Sequence, residues 1–107
     1  MSVSASDIDF ACELFSPVHD LTTRKMMGGL TLYSDGRIFA LVSSDGTIFL
    51  KAKGDFGQKL ANAGARQFTS TTKNGKTVTM GYWSLPEAAL DDPEQACALA
   101  WESLATQ

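Results

Sequence analysis

With one histidine and two cysteines in 107 residues, this chain is poor in the side chains that most often bind metals or attack substrates. His19 has no second histidine with which to share a metal, and neither Cys12 nor Asp20 stands at a recognised ligand spacing from it. Cys12 and His19 are the one nucleophile–base pairing available. Cys12 falls on the apolar side of a predicted helix, however, which favours an inert buried thiol. No apolar run approaches the ~20 residues of a membrane span. The N-terminal MSVSASDIDF has neither the basic start nor the apolar stretch of a signal peptide. The expectation is therefore a cytoplasmic protein with no membrane partner. Two cysteines far apart in such a protein, Cys12 and Cys97, are expected to be reduced, unbonded and buried.

Glycine-rich phosphate chemistry is missing as well. A phosphate loop places glycines between a strand and a helix N-terminus, so that free amides face the anion. Here Gly28-Gly29 runs into a strand, and no Gly-Lys-Ser/Thr follows. The two glycines read as a bulge or a point of close backbone packing. Met26, Met27 and Met80 read as flexible core filler rather than a soft-metal site. Asp35 and Asp45 each precede a glycine in a turn, where aspartate is ordinary turn chemistry. Those turns fall at opposite ends of a meander, so the carboxylates cannot share a substrate. No catalytic residue, metal or cofactor is expected.

What is present suffices for one domain spanning residues 1–107. The chain is 44% hydrophobic and 20% charged, enough for a real core without cross-links. Ser6, with Asp9 three residues on, is the expected cap of a first helix, whose apolar face carries Ile8, Ala11, Cys12 and Phe15. Pro17 ends it. Leu30 to Tyr33 alternates as a strand, Ser34-Asp35-Gly36 turns, and Ile38 to Val42 is an unbroken apolar strand. Ser44-Asp45-Gly46 turns again into a strand over Ile48 to Leu50. A short helix begins at Asp55, with Gln58 at the capping-box position, a face of Phe56, Leu60 and Ala63, and Gly64 at its C-terminal cap. Phe68 to Thr72 reads as a strand, and Asn74-Gly75 is a strong hairpin signal. The return strand puts Val78, Met80 and Tyr82 on one face. Asp92-Pro93 opens a last helix carrying Cys97, Ala100, Trp101 and Leu104. Phe15 and Trp101 are expected to press the two terminal helices onto the sheet. The expected fold is α+β: a single antiparallel sheet of about five strands, N- and C-terminal helices and one short central helix.

These residues carry a resemblance. The chain resembles the N-terminal domain of the TfoX/Sxy competence-regulator family, whose Arg-x-Met-Phe-Gly-Gly-x-Gly-Leu-Tyr-x-Asp-Gly-x-Met-Phe-Ala-Leu pattern is met in register by Arg24, Met26, Gly28, Gly29, Leu32, Tyr33, Asp35, Gly36, Phe39, Ala40 and Leu41. Ile48-Phe49-Leu50-Lys51, Met80-Gly81-Tyr82-Trp83-Ser84-Leu85-Pro86, Asp92-Pro93 and Trp101 match later parts of the same pattern. Met27, Thr31 and Trp83 depart from it where phenylalanine, glycine and tyrosine are usual. The resemblance implies a fold similar to secretion-chaperone-like domains and a role in transcription or competence regulation through protein contacts. Full competence regulators of the family carry a second, C-terminal domain, whereas the expectation here is a stand-alone N-terminal domain.

Charge is distributed unevenly. All nine Lys and Arg residues lie between Arg24 and Lys76, a stretch with only three acids and a net charge of +6. The flanks hold the other nine acids and no Lys or Arg. The acidic terminal helices are expected to lie near the basic sheet region and offset it. Lys51, Lys53 and Lys59 are the candidate partner-binding residues, as a patch that steers an acidic protein partner. Nucleic-acid binding through the same segment is the alternative, and small-molecule binding or an enzymatic role the third reading. No specific DNA binding is expected, because neither terminal helix carries a cation. A homodimer is compatible with this reading. Arg24, Met26, Gly28, Gly29, Asp35, Gly36 and Asp45 are read as structural, with Arg24 expected to pair with Asp45 or a nearby carbonyl.

Overall fold

The computed structural model describes residues 3–26, 28–71 and 77–107. Helix α1 spans Ala5–Leu14, and its cap is Ser4 rather than the expected Ser6. Ser4 Oγ accepts from the Asp7 N–H at 3.1 Å, satisfying an amide the first turn leaves free. Two strands then follow where one was expected: β1 over Leu21–Met26 and β2 over Gly29–Ser34. β1 reads LTTRKM, and all but its first residue are exposed. An edge strand with little to bury has no apolar alternation to betray it. Strands β3 (Arg37–Val42) and β4 (Ile48–Lys51) complete a meander.

Helix α2 covers Gly54–Asn62, with Lys53 at its N-cap making no side-chain cap bond. Gln58 bonds Asn62 instead of forming a capping box, and Ala63 is exposed, while Phe56 and Leu60 are buried as expected. Strands β5 (Gln67–Thr71) and β6 (Thr77–Ser84) form the last hairpin. The Asn74-Gly75 signal lies outside the described residues, as do Met27 and the side chains of Val78 and Met80. A 3-10 turn at Glu87–Ala89 leads to α3, Pro93–Ala105. Asp92 caps α3 by accepting from the Gln95 N–H, with proline in the first turn, as the sequence implied.

The sheet is antiparallel, with six strands in the order β1-β2-β3-β4-β6-β5. Both glycines of the first hairpin have a physical reason. Gly28 holds a φ of 84° between β1 and β2, a conformation that strains any residue with a Cβ. A Cβ on Gly29 would stand 2.5 Å from the Val42 carbonyl oxygen of β3, so this is the close backbone approach expected.

One face of the sheet carries Leu30, Leu32, Ala40, Val42, Ile48 and Leu50 into a single core. Helices α1, α2 and α3 all add to that core, through Ala11, Leu14, Phe56, Leu60, Cys97, Ala100 and Leu104. A bulge in β3 enriches it. Leu32 lies opposite Ala40 but Tyr33 lies opposite Ile38, so Phe39 has no strand partner. Phe39 turns to the helices, fully buried, with its ring edge-on to Phe15 at 5.3 Å. Ser103 of α3 ties helix to sheet by donating to the carbonyls of Lys51 and Phe39.

Two expectations about this core fail. Trp101 is 53% exposed on the outside of α3, and the buried positions of that helix are Ala96, Cys97, Leu99, Ala100, Ser103 and Leu104. Small residues at the interface let α3 approach the sheet closely, which leaves no room for an indole. Cys97 is buried, its thiol donating to the Leu14 carbonyl at 3.5 Å, but Cys12 is only half-buried. Both thiols are free.

Candidate partner-binding surface

Side chains alternate across a sheet, so the residues between those of the core form a second face. That face carries Thr22, Arg24 and Met26 from β1, Thr31 and Tyr33 from β2, and Ile38 and Leu41 from β3. β4 adds Phe49 and Lys51, β6 adds Tyr82 and Ser84, and β5 adds Phe68. Among the described residues no helix covers it. Phe49 and Tyr82 are buried yet stand apart from the helix-covered core. They are shielded by neighbours on the same face: the Phe49 and Phe68 rings meet edge-on at 4.9 Å. Burial pushes the Tyr82 phenol pKa up, and nearby Tyr33 adds to the effect. Met26, expected in the core, is 48% exposed here.

Arg24 belongs to this face and does not pair with Asp45. Its guanidinium sits 6.0 Å from the centre of the Tyr33 ring, the outer limit of a cation–π contact. Thr31 lies between them, donating to the Arg24 carbonyl at 3.0 Å, with its Oγ1 3.2 Å from the Tyr33 hydroxyl. Asp45 stands in the β3–β4 turn, two strands away, roughly 10 Å at normal strand spacing. There it is engaged locally, accepting from the Ser43 hydroxyl and from the Thr47 N–H at 3.1 Å. The Ser43 hydroxyl first, then Thr47, hold its carboxyl below the usual range. Asp35 and Gly36 have φ of 51° and 79°, the positive pair that a two-residue hairpin turn requires. Asp35 also meets His19 Nδ1 at 2.9 Å on the surface.

The three candidate lysines do not share a face. Lys51 is half-buried on the open face beside Tyr82, its partner across the strands. Lys53 is exposed at the start of α2. Lys59 lies on the helix side, 2.6 Å from Glu102 of α3, with both side chains about half exposed. That contact offsets a central cation with a C-terminal acid.

Sorting charge by element gives a sharper pattern than the chain order did. None of the six strands contains Asp or Glu, whereas Arg24, Lys25, Arg37 and Lys51 stand in them. α1 and α3 carry Asp7, Asp9, Glu13, Glu94 and Glu102 and no cation. Sequence reasoning missed Tyr33, Leu41 and Phe68 as half-exposed residues of an open face, although the absence of acids from every apolar run was a readable sign.

At the Asp45 end of the sheet lies an open groove of about 550 Å³, lined by Asp7, Phe10, Asp45, Arg66, Glu87 and Leu90 among others. Its one serine hydroxyl, on Ser84, already accepts from the Arg66 N–H at 2.8 Å. No histidine or cysteine lines it. Among the described residues no cluster of three or more His, Cys, Asp and Glu side chains is placed to hold a metal ion, and no helix is long and apolar enough to cross a membrane.

A search of curated proteins returns no match. Residues 13–107, nearly the whole chain, match the TfoX N-terminal domain, with the glycine hairpin, the Asp-Gly turn and the Asp-Pro cap all inside the matched span. The chain belongs to the TfoX N-terminal domain family.

Proposed function

We propose that this domain is a non-catalytic regulatory adaptor that works by contact with another protein. The observation that carries this reading is the helix-free face of the sheet. It is apolar over Tyr33, Ile38, Leu41 and Phe49, carries Arg24 on its edge strand and Lys51 on β4, and has no carboxylate in its strands. Contiguous apolar surface rimmed by polar residues is characteristic of protein contact. Membership of the TfoX N-terminal domain family supports a regulatory role, with transcription or competence as the process. The exposed His19 and the half-buried Cys12, whose pKa is pushed up by burial and then by Asp9, also speak against thiol catalysis.

The test is capture on the immobilised 107-residue chain from native lysate, with and without nuclease. Protein partners that survive nuclease are the expected result. Recovery that disappears with nuclease would transfer the function to nucleic acid.

A further inference from the structure

We infer that the open sheet face is the docking surface for an acidic amphipathic helix of a partner protein. The inference rests on the adaptor reading above and names the chemistry of its partner. The molecule itself shows what covers a face of this sheet. The opposite face is covered in part by α1 and α3, two helices whose only charged residues are acids and whose apolar sides meet the strands. The open face offers similar chemistry without a cover: Tyr33, Ile38, Leu41 and Phe68 are half-buried, and Arg24 and Lys51 are its charges. Glutamates along the edges of an apolar helix stripe would meet those cations, while like charges would be repelled. Six strands span roughly 24 Å at ~4.8 Å spacing, the length of a helix of about 16 residues.

Two other occupants fit less well. A second copy docked face to face would bring the same cations to both sides of the interface and supply no strand carboxylate to pair with them. Single-stranded nucleic acid needs free rings on which bases stack. Phe49 and Tyr82 are each only 8% exposed, Tyr33 and Phe68 are half-buried, and the chain is net −3.

The test uses a fluorescein-labelled peptide of about 18 residues, with a Leu/Phe stripe and glutamate elsewhere, beside a twin with lysine in place of glutamate. Anisotropy should show the acidic peptide binding about tenfold tighter or more than its twin. Leu41→Glu and Lys51→Glu should each weaken it by a similar factor, while Gln58→Glu, the same charge added on exposed α2, should not. If Leu41→Glu fails to fold, Arg24→Glu on the exposed edge strand takes its place. Equal affinity for the two peptides overturns the inference. So does binding insensitive to the face variants, tighter binding of a labelled oligothymidine, or sedimentation as a dimer that Leu41→Glu dissociates. If neither peptide binds but nuclease-resistant partners are still captured, the acidic-helix inference falls while the adaptor reading stands.

Discussion

The two faces of one sheet have been put to different uses. On one, Leu32, Ala40, Val42 and Leu50 are at most 1% exposed beneath three helices. On the other, Tyr33, Ile38, Leu41 and Phe68 are half-buried, with no helix above them among the described residues. Neither face presents an acid from its strands and both carry a run of apolar residues, although Thr22, Arg24, Thr31, Lys51 and Ser84 stand among those of the open one, so apolar content alone does not say which face is sealed. Coverage does. A sheet with one wet face normally alternates apolar with polar residues, and β3, RIFALV, does not. An apolar strand exposed on one side is a cost in solubility unless the surface is used.

The first way to break this comparison is to remove a large side chain from each face. Phe39→Ala empties a fully buried site against Phe15, and a loss of about 3–5 kcal/mol in urea unfolding is expected. Leu41→Ala, two residues on, should cost about 1 kcal/mol or less, because nothing packs above it. Equal losses would mean that the open face is covered in solution.

Gly29→Ala comes next. Its new methyl would meet the Val42 carbonyl oxygen at 2.5 Å, and backbone within a sheet cannot move aside as a flexible side chain can. A loss of about 1–3 kcal/mol is expected from such overpacking, read as a lowered Tm. An unchanged Tm would show that β2 and β3 separate easily at this end and that the hairpin is not held as described.

How far the sequence foretold this fold follows from the same contrast. Everything that buries an apolar stripe was readable: β2, β3, β4, the Asp92-Pro93 cap and the central helix. β1 was not, because LTTRKM is an edge strand with almost nothing to bury. Trp101 misled because period alone cannot tell which member of an apolar stripe will sit against small residues and which will overhang. Arg24 was placed at the right end of the sheet but too few strands from Asp45. The open face was hidden because its residues read as core, and only topology shows that all three helices lie on the other side.

The cysteines sharpen the comparison from the helix side. Burial raises the Cys97 thiol pKa, and burial with a smaller contribution from Asp9 raises that of Cys12. Both should stay protonated near neutral pH and react slowly with a disulfide reagent. Cys97, on the buried side of α3, should be the slower of the two, and both should react at once in urea. Fast native modification of Cys97 would mean that α3 does not seal its face.

The smallest expected effect concerns Asp45, in the β3–β4 turn. Asp45 is turned onto Ser43 and Thr47, which hold its pKa below the ordinary 3.8. A carboxyl with a depressed pKa in the folded state stabilises the fold above its unfolded pKa, and that contribution is lost as pH falls through the folded value. Asp45→Asn keeps an oxygen able to accept from the Thr47 N–H, so only the charge-dependent part disappears. On an exposed turn this should amount to no more than about 0.5 kcal/mol. Unfolding free energies of the two proteins should therefore differ slightly at pH 7 and converge only once the pH falls below the depressed folded-state pKa of Asp45. A difference that shows no decline with pH below 3.8 would show that Asp45 holds the turn by shape rather than charge. A large difference at pH 7, lost in salt, would mean that its charge reaches the cations of the sheet. In that case Asp45 would neutralise Arg24 or Lys51 after all, and the open face would be less positive than its strands alone imply.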